Sequence, residues 1–126
     1  NRSAANATQI PAFDKDTWVE VELGANPNTS EAIWTFIGDN PVAYATKSMP
    51  TVYYQITLSS STTFTVSSDN LDAKISILAS NGTELANSST VIIDGVEMKS
   101  VNITGTAGTL YYIAVTGDDV INLLIN

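Results

Sequence analysis

Along the chain, apolar and polar residues alternate in short runs, and a period of two marks a half-buried β-strand. In TWVEVEL (17–23), Val19, Val21 and Leu23 share one face while Trp18, Glu20 and Glu22 share the other. TVYYQITL (51–58) sets Val52, Tyr54, Ile56 and Leu58 together, STTFTV (61–66) repeats the pattern, and AKISILA (73–79) aligns Ala73, Ile75, Ile77 and Ala79. EAIWTFI (31–37), VAYAT (42–46), TELA (83–86), TVIID (90–94), VEMKSVNI (96–103), TLYYIAVT (109–116) and VINLLI (120–125) read as further strands. Gly-, Asn-, Asp- and Ser-rich stretches such as GDNP (38–41), SSDN (67–70) and GTAG (105–108) supply turns between them. Asn81-Gly82 marks a hairpin tip. Roughly ten short strands spaced by about 8–12 residues, with no helical periodicity, predict an all-β sandwich or barrel.

Residues 1–16, NRSAANATQIPAFDKD, do not follow this pattern and read as an extended N-terminal arm outside the main core. The remainder, 17–126, is one domain, long enough to bury a core without disulfide or metal support. The arm still carries apolar residues, Ala5, Ala7, Ile10 and Phe13, among polar ones. Two readings are open: a disordered tail, common at termini, or a donor strand for the sheet edge of a second copy.

Composition narrows the setting. Only 14% of residues are charged, and the polarity comes instead from Ser, Thr and Asn, which suits exposed strands and turns. A formal charge of −8 with five basic residues excludes phosphate-rich partners such as nucleic acid and disfavours an anionic membrane surface. No apolar stretch is long enough to predict a membrane span. Small extracellular domains of animals lean on disulfides, so a cysteine-free chain fits a bacterial or archaeal surface protein better. Opening on Asn1 rather than Met, it reads as a mature or excised chain of extracellular or cell-surface location.

From residue 50 onward, the order of motifs resembles the bacterial and archaeal pre-peptidase C-terminal domain. The carrying segments are VYYQITLSSSTTFTVSS (52–68), LDAKISILASNGTEL (71–85), GTAGTLYYIAVTG (105–117) and VINLLI (120–125). The resemblance implies a jelly-roll-like antiparallel β-sandwich. It also implies a domain that accompanies a secreted peptidase, and this chain carries no peptidase. It is then either an excised binding module or a free-standing subunit.

Asn-x-Ser/Thr acceptor sites occur at Asn1, Asn6, Asn28, Asn81, Asn87 and Asn102. Eleven Asn residues and Ser or Thr at 29 of the 126 positions would give about two or three by chance. Asn6, Asn28, Asn81 and Asn87 fall in predicted loops or the arm, where an acceptor is reachable. Glycans on several of them compete with a compositional origin of the motif.

Alternation also places aromatic rings. Tyr54 and Tyr111 share faces with aliphatic neighbours, so Tyr53, Tyr112 and Trp18 are the outward candidates for stacking on a ligand. Cover by loops or a second layer is the competing reading. Asp69, Asp72, Asp118 and Asp119 offer oxygen ligands without a calcium-loop spacing and read as solvated turn carboxylates. Without His or Cys, neither zinc sites nor the usual nucleophile–base pairs can form. Lys47-Ser48 and Lys99-Ser100 are adjacent on strands and point to opposite faces. The expectation is a non-catalytic extracellular protein without cofactor or metal. Its first form is a glycosylated subunit of a filament built from copies of itself by strand addition. The alternative is a carbohydrate- or fibrous-protein-binding module cut from a larger secreted enzyme.

Overall fold

Each alternating strand has one apolar face to bury, and two sheets packed face to face bury the faces of ten strands at once. The computed structural model describes residues 3–10, 17–23, 29–37, 40–117 and 120–126. After a single 3₁₀ turn, Ala4–Asn6, come β1 (Thr8–Gln9), β2 (Thr17–Glu22), β3 (Thr29–Ile37) and β4 (Asn40–Met49). Then follow β5 (Thr51–Thr57), β6 (Thr62–Ser68), β7 (Lys74–Ala79) and β8 (Glu84–Asn87). The chain finishes with β9 (Ser89–Ile93), β10 (Val96–Gly105), β11 (Leu110–Thr116) and β12 (Val120–Ile125). One sheet runs β1-β5-β11-β7-β8 and the other β2-β12-β6-β10-β9, while β3 and β4 pair with each other.

The pairing is nested. β2 pairs with β12, β5 with β11, β6 with β10 and β7 with β8, all antiparallel, so outer strands of the sequence find outer strands. Successive members alternate between sheets, which is jelly-roll topology. The predicted sandwich is therefore the observed fold, and the predicted strands differ from the observed ones by a few residues at their ends.

Val52, Tyr54, Ile56, Ile75, Ile77, Ile113 and Val115 of one sheet are buried against Val21, Phe64, Val66, Ile121, Leu123 and Ile125 of the other. Each such side chain contributes about 1.5–3 kcal/mol of burial. The turns follow local chemistry. Asp94 and Gly95 both have positive φ, 51° and 80°, the signature of a type I′ hairpin turn between β9 and β10. At the β7–β8 tip only Gly82 is left-handed, and Asn81 Oδ1 accepts the Thr83 N–H at 2.9 Å.

The arm differs from expectation. Thr8 and Gln9 pair in parallel with Tyr54 and Gln55, and the Ile10 N–H donates to Gln55 O at 2.9 Å. Ile10 is only 3% exposed and belongs to the core cluster. The arm is thus not wholly outside the core. An isolated β-branched residue between Gln9 and Pro11 carries no periodicity, so the alternation that reveals longer strands does not flag it.

Candidate functional site

β12 follows β2 along its whole length, Val120–Ile125, but pairs with β6 only at Leu124↔Ser67 and Ile125↔Val66. Beyond Leu124 the two strands part. β6 stops at Ser68 and enters the turn at residues 69–72, which is fixed locally: Asn70 N–H donates to Ser68 Oγ (3.2 Å) and Asp72 N–H to Asn70 Oδ1 (3.0 Å). The divergence opens a groove of about 350 Å³ on the outer face of this sheet, lined by Trp18, Ser67, Ser68, Asp69, Met98 and Asn122. Its size lies near the lower end of small-ligand pockets, roughly 300–1,000 Å³.

The groove's chemistry is that of an amphipathic, uncharged or weakly polar ligand. Trp18 is 68% exposed and offers a ring face, Met98 adds apolar contact, and Asn122, Ser67 and Asp69 offer donors and acceptors. Among the described residues no Lys or Arg lines it.

The three aromatic candidates do not converge. Trp18 lies on the outer face of the β2-containing sheet, whereas Tyr53 and Tyr112 lie on the opposite outer face of the molecule. There Tyr53 stands opposite Ala114 and Tyr112 opposite Gln55, so the tyrosines are diagonal neighbours, and both are half-buried. The inward assignments stand in the structure: Tyr54 and Tyr111 are buried.

Of the acceptor sites, Asn6, Asn81, Asn87 and Asn102 are exposed. Asn6 follows the 3₁₀ turn's start and donates to Ser3 Oγ at 3.2 Å. Asn81 sits at the β7–β8 tip. Asn87 is the last residue of β8 rather than a loop residue, because the hairpin ladder extends to Ser76↔Asn87. Asn102 stands on β10 opposite Thr65. Asn1, Asn28, Phe13, Asp118 and Asp119 lie outside the described residues. Ala5 is exposed, Ala7 half-buried and Ile10 buried, so among the described donor candidates Ile10 is the one that plugs the core.

Sequence reasoning missed the groove partners Met98 and Asn122. Each is one polar or flexible residue on an alternating strand, and only the parting of β12 from β6 brings them together. Among the described residues no group of three or more acidic side chains converges as a metal site. No described helix is long and apolar enough to cross a membrane. Compared with known protein families and with curated proteins, the chain matches none.

Proposed function

We propose that the chain is a non-catalytic, glycosylated extracellular subunit that assembles with copies of itself by exchanging its N-terminal arm. One observation carries the reading. Ile10 is buried in the core, yet the arm around it is held by a two-residue parallel ladder on β5, whose edge it covers. Such an element is exchangeable, because a neighbour's arm placed on the same edge remakes the same contacts. Strand edges are templates for this kind of addition. Exposed acceptor sites at Asn6, Asn81, Asn87 and Asn102 support a glycoprotein surface. The likeness of residues 50–126 to a peptidase-associated sandwich supports a secreted, accessory role.

Solution size against concentration, with electron microscopy of natively sourced material, tests the proposal. Filaments or concentration-dependent oligomers are expected, and they should vanish when residues 1–10 are deleted. A strict monomer at every concentration overturns it. The Trp18 groove favours a second reading, a carbohydrate-binding module from a larger secreted protein. A monomer that retains polysaccharide would select that reading.

A further inference from the structure

The groove beside Trp18 and the acceptor at Asn102 share one surface. Along β10, Met98, Ser100 and Asn102 alternate onto the same side of the sheet, and Met98 lines the groove. Asn102 is four residues from Met98, roughly 13 Å along the strand, and three strand spacings and two residues, roughly 16 Å, from Trp18. Between them on this face lie Ser100, opposite Ser67, and Thr65, opposite Asn102.

We propose that the groove is a saccharide site whose occupant is the glycan carried by Asn102 of the same chain. The chemistry is specific to neutral sugars. The C–H face of a pyranose packs on the exposed indole, and its hydroxyls exchange hydrogen bonds with Asn122, Asp69 and Ser67. The Asp69 carboxylate repels acidic sugars and phosphate. The source arm of the proposal rests on the reading of the chain as a glycoprotein; the groove's affinity for sugar does not. Docking of the glycan would cover the Trp18 indole, which is 68% exposed.

The bare polypeptide, produced without glycosylation, is titrated with maltohexaose, mannohexaose and N-acetylchitohexaose while the Trp18 indole and Asn122 amide resonances are followed. Dose-dependent shifts at both positions with at least one sugar are expected. Binding should weaken roughly tenfold in Trp18→Ala and in Asn122→Ala, and stay unchanged in Tyr112→Ala on the far sheet. Silence with all three sugars, or shifts that persist in Trp18→Ala, overturns the site. The source is decided on glycosylated material. Native protein should refuse added sugar and Asn102→Gln should accept it. Equal binding by both, or an unmodified Asn102 in the native mass, overturns occupancy by the chain's own glycan even where the site itself stands.

Discussion

Phe64 and Tyr111 meet between the two sheets, with ring centroids 5.9 Å apart and planes tilted by 57°. Phe64 belongs to β6 and Tyr111 to β11, so the pair ties the layers together. The Tyr111 hydroxyl accepts the Thr106 N–H at 2.9 Å, which satisfies the polar end of a buried ring. Gly105 closes the cluster: a Cβ there would run into Leu58 Cδ1 and come within 3.2 Å of the Tyr111 ring.

Three substitutions rank this cluster. Phe64→Ala should cost about 3–5 kcal/mol by opening a cavity, and Gly105→Ala about 1–3 kcal/mol by overpacking. Tyr111→Phe keeps the ring and should cost only about 1 kcal/mol. Thermal unfolding reads the order, with Phe64→Ala lowering the midpoint by on the order of ten degrees. A reversed order would place the layer contact elsewhere.

Local order in this molecule is written in period two. TVYYQITL predicts both β5 and the inward face of Tyr54, and Asp94-Gly95 supplies the positive-φ pair that the β9–β10 turn needs. Pairing is different, because β2 meets β12 across about a hundred intervening residues and nothing in either strand names its partner. The groove is a product of that pairing: where β12 leaves β6, Trp18, Asn122 and Met98 become neighbours. The two-residue β1 is too short for any periodicity, and only its tertiary contact with β5 defines it.

The arm offers a direct test of exchange. Ile10→Ala should destabilise by about 2–5 kcal/mol, as expected for a buried aliphatic residue, whereas Ala5→Ser, at an exposed position, should change little. A chain lacking residues 1–10 should lose assembly and regain stability when a synthetic peptide of residues 1–16 is added. A peptide without effect on the truncated chain's melting would show that the arm does not act through the β5 edge.

Two or more of Asn6, Asn28, Asn81 and Asn87 should carry glycans in natively sourced protein. Asn81 is the most informative, since its Oδ1 is spent on the Thr83 N–H while its amide nitrogen is the atom a glycan would take. Intact mass decides the total, and Asn81→Gln should remove one glycan's mass. A mass equal to the bare polypeptide sinks the glycoprotein reading.

Chelation should leave the fold intact. Asp69 and Asp72 flank Asn70, whose Oδ1 and backbone C=O fix the turn through the Asp72 and Ala73 N–H groups without a metal. Melting in the presence and absence of EDTA should agree within about two degrees. A fall of many degrees would reveal a structural cation held at least partly by residues such as Asp118 and Asp119.

The free edge at β9 separates specific from unspecific association. Natural sheets guard their edges with charge, proline or bulges. Ser89–Ile93, STVII, has neither charge nor proline, and its ladder to β10 runs without a register shift. Ile92 is 72% exposed, and Ile93 and Val96 beside the type I′ turn are exposed as well. This strip would pair with any compatible strand, so it is the surface from which aggregation should start. Ile92→Lys places a charge there without touching the core, and its effect on unfolding should stay within about 0.5 kcal/mol. Light scattering at rising concentration should show less amorphous association in Ile92→Lys, while ordered assembly through the arm persists. Should Ile92→Lys abolish ordered assembly and deletion of residues 1–10 leave it intact, the subunits join through β9 and the arm-exchange proposal fails.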